Sequence, residues 1–515
     1  MYFIKHVFLT LFFIPFSGFA QLEGDSLFAT DQVMTIELTF SQTGYWDSLE
    51  ANYTTSTYMS ADMTITTLDG TRTFPNIAVR LKGNSTYNHP NNKKPFKIDF
   101  NKYVSGQDFD GIKKLNLSNG FKDPSCMREK LFFDFCHEVG VNAPRANFAN
   151  LIINGSPLGF YTVVEQIDDQ FLDWAILDDD GNLFKAGDNF GGGPGGAGTP
   201  ADLMYYGNAA TDYTDRYELK TNEDLNDWTD FIELLNYINN STDTDFKNQF
   251  HTRFEKQELL RAFAIDNLFS NLDSYTGSAR NYYLYHNLTT NKWEWIKWDA
   301  NEAFGSYTNN QAPLTLGVDY QANNRPLLER IFDNEDLNRD YKNELCALVE
   351  DYFNNAYMDS KIDAIYNLIK TDVYADVNKM FSDADFDNNI DSDITSIGGP
   401  GGGNSIYGLK SFISSRELNV LSQVDCNYYN SIQEIHSEGF KLYPNPVSDF
   451  ALVEFEGEIA QIELRSITGQ LIKPIELLES TDKIKVPVSD LPEGIYLIVL
   501  STGNATSIQK LMVNR

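Results

Sequence analysis

Hydrophobic and polar residues alternate with a period of two along the first third of the chain. Gly, Asn and Pro interrupt the alternation, which is typical of β-strands separated by turns. The pattern predicts strands over residues 34–40, 59–68, 76–81, 95–100 and 114–117. Residues 127–136 then place apolar side chains at helical spacing, with Asp123 and Ser125 as candidate caps and Gly140 as a stop.

Helical periodicity dominates the chain from there to about residue 426. A hairpin is predicted first, over 148–153 and 158–165 around the Asn154-Gly155 turn, and a second strand pair over 282–285 and 293–298. Helices are predicted over 224–270, 327–353, 359–381 and 407–423. Strands first and helices later indicate an α+β domain with two lobes.

The two ends of the chain have their own character. Residues 1–20 combine a lysine, an apolar run and small residues before Gln21, which predicts a cleaved secretory signal. No other stretch is long and apolar enough to predict a transmembrane helix. Residues 427–439 form a polar linker, and residues 440–515 alternate between turns as in a small all-β sandwich. We therefore predict a signal (1–20), a working domain (21–426), the linker and a C-terminal domain.

The C-terminal domain contains four specific words. They are Tyr443-Pro-Asn-Pro446, Ser466-Ile-Thr-Gly-Gln470, Leu491-Pro-Glu-Gly-Ile-Tyr496 and Lys510-Leu511. In this order they resemble the type A sorting domain of the type IX secretion system of Bacteroidota. The resemblance implies export through the periplasm and outer membrane by that machinery, to the cell surface or the medium. A binding sandwich that stays on the mature protein is the alternative.

Composition narrows the choice of partners. The 515 residues carry a formal charge of -33, so the overall field repels phosphate backbones and disfavours nucleic acid as a partner.

Four cysteines without close pairs exclude a disulfide scaffold and a zinc site. Glycine runs at 191–196 and 398–403 lack the Lys-Ser/Thr of a P-loop. Alternate carboxylates over 383–393 resemble a calcium loop but fail the EF-hand pattern, which favours a solvated acidic loop.

Phosphoryl transfer is the chemistry that one segment suggests. Asp273 follows a predicted helix, Asn281 opens a strand eight positions later, and Asp299 ends the next strand. A kinase needs a carboxylate that accepts the proton of the acceptor hydroxyl. It also needs an amide and a second carboxylate that hold a metal ion. Here Phe304-Gly305 stands further from the metal carboxylate than in protein kinases, so the arrangement is analogous rather than identical.

A series of words around this segment resembles the spore coat protein H (CotH) kinase family. They run in order from about 30 to 425: Arg80-Leu-Lys-Gly-Asn-Ser85, Lys93-Lys-Pro-Phe-Lys-Ile98, Arg128, Asn154-Gly155, Gly159-Phe-Tyr161, Glu165, Gly181-Asn-Leu-Phe-Lys185, Tyr217-Glu-Leu-Lys-Thr-Asn222, Asn281-Tyr-Tyr-Leu-Tyr285 and Trp298-Asp-Ala-Asn301. The resemblance implies an atypical protein-kinase-like fold that uses ATP and Mg²⁺ (or Mn²⁺) to phosphorylate Ser or Thr of partner proteins. Asp273 then matches the catalytic carboxylate and Asp299 a magnesium ligand.

Cations upstream are candidates for holding the triphosphate. A protein of such negative charge must supply local cations to hold a triphosphate. Lys97 is the first choice for this role, ahead of Lys82 and Lys94. Outward lysines that protect an edge strand are the structural alternative. The resemblance also makes Glu165 a site residue that orients a lysine or lies in a hinge, whereas spacing alone suggests a surface strand.

Aromatic residues are candidates for stacking on adenine. Trp293 shares a strand face with Asp299 by even spacing, and the resemblance suggests that it contacts the base. Trp295 shares that face and competes for the role, Tyr161 is a candidate for the base's other side, and plain core packing is the alternative reading.

Other interpretations stay open. Asp273 and Asp299 could be a helix cap and a turn residue, and Asp266 or Asn301 could replace them. A non-catalytic surface adhesin or scaffold is the second hypothesis, because ATP is scarce outside the cell. A polysaccharide hydrolase is the third, and the sequence offers no distinctive carboxylate pair for it.

Overall fold

The computed structural model describes residues 22–187, 198–395 and 405–426, and in the C-terminal part 440–455, 461–466, 471–475, 483–489, 491–492, 494–501 and 506–514. The predicted signal, both glycine runs and the predicted linker therefore lie outside the described residues. The chain divides into two compact units, Met1–Asn430 and Ser431–Arg515.

A closed β-barrel opens the first unit. Its described strands, in spatial order β1-β2-β3-β4-β5-β7-β6, are β1 (Val33–Thr39), β2 (Met59–Thr67), β3 (Gly70–Leu81), β4 (Phe96–Asp99), β5 (Lys114–Ser118), β6 (Ala146–Ile153) and β7 (Ser156–Glu165). Neighbours pair antiparallel except β1 and β6, whose parallel pairing closes the barrel. Alternate residues such as Leu81, Phe96, Ile98 and Leu117 fill its interior.

The second sheet and most helices from residue 128 onward surround a separate apolar core, whereas Leu27, Phe28 and Leu49 of the first two helices belong to the core of the barrel. The described helices are α1 (Asp25–Phe28), α2 (Tyr45–Ala51), α3 (Ser85–Asn88), α4 (Arg128–Glu138), α5 (Asp169–Ala175), α6 (Thr229–Asn240), α7 (Asp243–Arg253), α8 (Lys256–Leu268), α9 (Pro326–Asp333), α10 (Glu335–Asp351), α11 (Asn355–Ala375), α12 (Asp383–Asp391) and α13 (Leu409–Gln423). The sheet has the order β11-β10-β8-β9, with β8 (Leu183–Ala186), β9 (Tyr217–Leu219), β10 (Tyr282–Asn287) and β11 (Lys292–Lys297). A short pair, β12 (Ile394–Thr395) with β13 (Ser405–Ile406), precedes α13.

The outer face of the barrel is the surface on which the two cores meet. Phe148, Phe160 and Val164 project from β6 and β7 into the helical core. Lys97 and Asn116 stand opposite each other on β4 and β5. Their strand neighbours fill the barrel, so these two polar side chains point outward on the same surface.

The predicted strands and most predicted helices are confirmed, and the domain is a mixed α/β fold. The closed barrel was not predicted. The acidic run was predicted to be a loop, and this is wrong because it forms α12, capped by Ser382, whose hydroxyl accepts a hydrogen bond from the Asp385 amide. Phe386, Asn389 and Ile390 give α12 a buried face at helical spacing.

A disulfide joins α10 to the end of the first unit. Cys346 and Cys426 are bonded across 80 residues, whereas Cys126 and Cys136 are free thiols. Among the helices that the structure describes, none has the length and apolar character needed to cross a bilayer.

The second unit is all β in its described parts. One sheet contains β14 (Lys441–Tyr443), β15 (Phe450–Glu454) and β18 (Lys483–Pro487), and the other contains β16 (Gln461–Ser466), β17 (Leu471–Ile475), β19 (Gly494–Ser501) and β20 (Thr506–Val513). Apolar residues of both sheets, among them Val453, Leu464 and Ile498, share one core. This is the sandwich arrangement expected from the alternating pattern.

Candidate active site

Asp273 lies in a loop between the end of α8 and the start of β10. The Asn281 side-chain amide donates to the backbone carbonyl of Asp273 at 2.8 Å and to its carboxylate Oδ2 at 3.0 Å. Asn281 itself has a positive φ of 60°, which lets the chain turn back toward Asp273. Burial, reinforced by the negative charge of Glu302, raises the pKa of Asp273 to about 7. A carboxyl group tuned to this range can exchange a proton near neutral pH.

Asp299 follows β11 and interacts electrostatically with Asp273. The charge of Asp299 contributes to the raised pKa of Asp273. Asp299 also adopts a positive φ of 54°, so the chain turns sharply where the strand ends. The hairpin of β10 and β11 thus brings the carboxylates of two sequence-predicted residues into one site.

Glu302 extends this acidic group. It is 5% exposed, and Lys122 Nζ donates to its Oε2 at 2.8 Å. Asn301, an alternative ligand in the sequence, instead donates its amide to the Phe121 carbonyl at 3.3 Å. Lys122 and Phe121 follow β5, so this contact links the Asp299 turn to the barrel.

Lys82 reaches the same site from the end of β3. Its Nζ donates to Asn116 Oδ1 at 3.1 Å and lies 5.3 Å from the centre of the Trp298 ring. Burial lowers the pKa of Lys82, whereas the charges of Asp299 and Glu129 raise it. Lys82 is therefore a partly buried cation that interacts with the second carboxylate of the site.

Glu129 is a further candidate for this site, and the sequence pattern did not single it out. It lies in the first turn of α4 and is 5% exposed. Burial and the charge of Asp299 raise its pKa to about 8, against the opposing effect of Lys82. Asp123 fixes this helix end by accepting the Arg128 amide at 2.9 Å. The sequence signal was available, because the predicted cap places Glu129 at the helix N-terminus that faces the barrel.

A group of cations lies beside Lys82. Lys97 Nζ donates to Gln166 Oε1 at 2.6 Å. Burial lowers the pKa of Lys97 well below its usual range, and the nearby charges of Lys82, Arg80 and Lys185 lower it further. Positive charges held this close together repel each other unless an anion lies between them, so this group of cations is suited to bind an anion.

Three predicted site residues are not brought to this cluster. Trp293 is buried, packs against Phe184 and Phe231, and stacks on His286 with ring centres 4.8 Å apart. The predicted shared face does not extend to Asp299, because β11 ends at Lys297 and Asp299 lies beyond it in a positive-φ turn. Trp295, its competitor, stacks on Tyr282 in the helical core. Neither tryptophan is beside the metal candidate.

Tyr161 and Glu165 have structural partners instead. Tyr161 is buried inside the barrel, where its hydroxyl donates to the Lys94 carbonyl at 2.9 Å. Glu165 accepts two hydrogen bonds from the Arg145 guanidinium, at 3.0 and 2.6 Å, and one from the Trp174 indole at 2.9 Å. These contacts give both side chains of β7 structural partners.

The alternative residues also have structural partners. Asp266 is buried on α8 and forms an ion pair with Lys297 at 2.6 Å. Lys94 donates to the carbonyls of Tyr87 and His89 at 2.8 and 2.6 Å. Asp266 thus forms its ion pair inside the core, and Lys94 stabilises its own loop.

A metal ion would need ligands beyond the protein's carboxylates. Within the described residues, no group of three His, Cys, Asp or Glu side chains is arranged to hold one. Magnesium in phosphoryl-transfer sites uses one or two carboxylates and completes its shell with phosphate oxygens and water. The Asn281 hydrogen bonds to Asp273 use its amide nitrogen, so the Asn281 oxygen and the Asp299 carboxylate would be ligands of the type that this requirement calls for.

A family model described as CotH kinase protein matches residues 79–394. The chain belongs to this family. The matched range contains every member of the charged cluster, from Lys82 to Glu302, whereas β1 and β2 precede it. A second model, described as a secretion system C-terminal sorting domain, matches residues 441–514. This CotH-family chain therefore carries a type IX sorting domain, which implies the type IX secretion machinery as a partner and suggests secretion to the surface or beyond.

Relatives of this CotH-family chain include bacterial and fungal proteins. The inner spore coat protein H of Bacillus subtilis is 30% identical over 284 residues, 55% of this chain and 74% of that protein. Invasin CotH2 of Rhizopus delemar is 23% identical over 318 residues, 58% of this chain and 50% of that protein. Invasin CotH3 of the same fungus is 23% identical over 371 residues, 68% of this chain and 60% of that protein.

Proposed function

We propose that the chain is an exported protein kinase that transfers the γ-phosphoryl group of ATP to Ser or Thr of partner proteins. The observation that carries the proposal is that Asp273, held by Asn281, lies close enough to Asp299 for their charges to interact, and that Asp299 interacts in the same way with Glu129 and Lys82. A general base, a metal ligand and a lysine paired with a helix glutamate are the parts that kinases use for this reaction.

Asp273 is the proposed base. Its carboxylate would accept the proton of the acceptor hydroxyl as that oxygen attacks the γ-phosphorus, and ADP would leave from the opposite side. Asn281 holds both the backbone and the carboxylate of Asp273, so it orients the base. The raised pKa of Asp273 favours proton uptake near neutral pH.

The phosphates would lie between Asp299 and the lysines. Asp299 and the Asn281 oxygen are the proposed ligands of Mg²⁺ or Mn²⁺, which would neutralise charge on the phosphate oxygens. Lys82 and Lys97 would contact the triphosphate, and Glu129 would position Lys82. The lowered pKa of Lys97 supports this, since a bound anion would relieve the repulsion among the neighbouring cations.

Export affects where the reaction would occur. ATP is scarce beyond the outer membrane, so we propose that substrates are phosphorylated in the periplasm before the sorting domain directs the chain outward. A non-catalytic adhesin or scaffold is the second candidate, and the names of the two fungal relatives, both called invasins, favour it. The Ser/Thr substrate proteins belong to the first candidate only.

A label-transfer experiment separates the two candidates. The purified chain is incubated with γ-labelled ATP and Mg²⁺ or Mn²⁺, alone and with envelope proteins, beside Asp273→Asn and Asp299→Asn. Asp243→Asn is the matched control, because its side chain is fully exposed on α7. The kinase predicts label on protein for the wild type and control and none for the two site variants. Absence of label with every metal, or label that survives both site substitutions, would refute it.

A further inference from the structure

The loop that carries Asp273 is held from outside by a buried arginine at the start of α9. Arg325 is the residue before Pro326, and it is 5% exposed. Its guanidinium donates through Nε to the Tyr275 carbonyl and through Nη2 to the Gly277 carbonyl, the latter at 2.5 Å. Both acceptors lie within four residues of Asp273.

The same guanidinium also fixes its own segment. Nη1 donates to the carbonyls of Asn323 and Asn324, each at 2.9 Å. A backbone bond adds to the contact, because the Ala322 amide donates to the Thr276 carbonyl at 2.9 Å. Arg325 thus joins two irregular segments through four carbonyl groups and leaves the Asp273 carboxylate to other partners.

The Asp273 loop depends on such contacts because it has no regular secondary structure. It closes on itself where the Ser278 amide donates to the Leu272 carbonyl at 2.9 Å. A Cβ on Gly277 would approach that carbonyl oxygen to 2.0 Å, so the turn tolerates little change. Asn281 holds the loop at Asp273 itself, and Arg325 holds its far side at Tyr275 and Gly277.

We propose that Arg325 is a positioning residue for Asp273. It fixes the backbone that presents the carboxylate, and it acts through geometry rather than through contact with substrate or nucleotide. This inference rests on the proposed function only in assigning Asp273 the role of base. Hydrogen bonds from a charged donor are about twice as strong as neutral ones, and a base displaced by about 1 Å can cost about 100-fold in rate.

The test compares Arg325→Ala and Arg325→Lys with Arg330→Ala in the full chain. Arg330 is the control because it lies on the same helix and contacts Ile238, Ser241 and Asp243 instead of the Asp273 loop. Hydrogen exchange of the amides in 272–281 and the kcat and KM for ATP are measured for each. For Arg325→Ala we expect exchange in that loop to rise about 10-fold or more, kcat to fall about 10- to 100-fold and KM to stay within about twofold.

Chemical rescue distinguishes positioning from loss of fold. Added guanidinium should restore kcat and slow exchange in Arg325→Ala, and should leave Arg330→Ala unchanged. If Arg325→Ala does not fold, Arg325→Lys carries the test, because it keeps the charge and loses the fork of donors. Unchanged loop exchange with unchanged kcat overturns the inference, and so does a rise in KM for ATP that accounts for the whole loss. If the wild type transfers no phosphate, the proposed function fails, and loop exchange alone decides whether Arg325 holds the loop.

Discussion

Removing one partner of the buried Asp266–Lys297 pair should destabilise the first unit strongly. Both side chains are at most 2% exposed, and their charged atoms are 2.6 Å apart. Lys297 Nζ also donates to the Ala262 carbonyl at 2.7 Å, and Asp266 Oδ1 accepts from Asn271 at 3.0 Å. Neither hydrogen bond neutralises a charge left alone in this apolar core.

The expected loss in the free energy of unfolding follows from this burial. Asp266→Leu strands the ammonium of Lys297, and loss of one partner of a buried pair costs about 3–5 kcal/mol. The double variant Asp266→Leu/Lys297→Met removes both charges and should recover most of that loss, apart from about 1 kcal/mol for the Asn271 hydrogen bond. Since a domain is stable by only about 5–15 kcal/mol, the single variant should be near its limit.

Urea unfolding followed by tryptophan fluorescence measures these differences. The wild type, both single variants and the double variant form a double-mutant cycle, with a coupling expected above about 2 kcal/mol. Asp273→Asn is the comparison, and it should stay within about 1 kcal/mol of the wild type, because the amide keeps the shape of the partly buried side chain and can still accept the Asn281 hydrogen bond. A loss below 1 kcal/mol for Asp266→Leu, or a double variant that loses the sum of the singles, would refute the reasoning.

Three further predictions concern stability and nucleotide affinity. Burial and the charge of Glu294 raise the pKa of Glu258 to about 8, so the stability that protonated Glu258 contributes at acid pH is lost as the pH rises through 8. Glu258→Gln should therefore raise the melting temperature relative to the wild type at pH 9 and not at pH 4. An equal shift at both pH values would contradict this. The Cys346–Cys426 disulfide closes 80 residues, so Cys346→Ser/Cys426→Ser should lose about 4 kcal/mol, and reductant should destabilise only the wild type. Lys82→Met should weaken ATP affinity at least about 10-fold, whereas Trp293→Phe should leave affinity unchanged and lower only the melting temperature; weaker ATP binding by Trp293→Phe would restore it as an adenine contact.

The sequence predicted local elements and pairs of residues better than it predicted where strands meet. Strand positions could be read from alternation, but the parallel pairing of Val33 with Phe148 that closes the barrel joins residues too far apart for any local pattern. Acidic composition over 383–393 suggested a loop, and the buried spacing of Phe386 and Ile390 decided in favour of a helix.

The sequence predicted which candidate residues lie close together where their proximity depends on chain order, and it missed those that packing brings together. Asp273 and Asp299 lie on consecutive connections around one hairpin, so their proximity follows from local geometry. Even spacing placed Trp293 on the face of Asp299, but β11 ends at Lys297 and the chain turns at Asp299, so the alternation does not reach that residue. Glu129 and Arg325 contact elements that are far away in the sequence. The sequence pattern indicates only that each residue lies near the start of a helix.

A crystal structure of the chain with Mg²⁺ and a non-hydrolysable ATP analogue tests the central claim most directly. We expect the triphosphate beside Lys82 and Lys97, the metal on Asp299, and the γ-phosphate directed toward Asp273. A nucleotide bound elsewhere on the chain, or no bound nucleotide at saturating analogue and metal, would contradict the account and favour the scaffold.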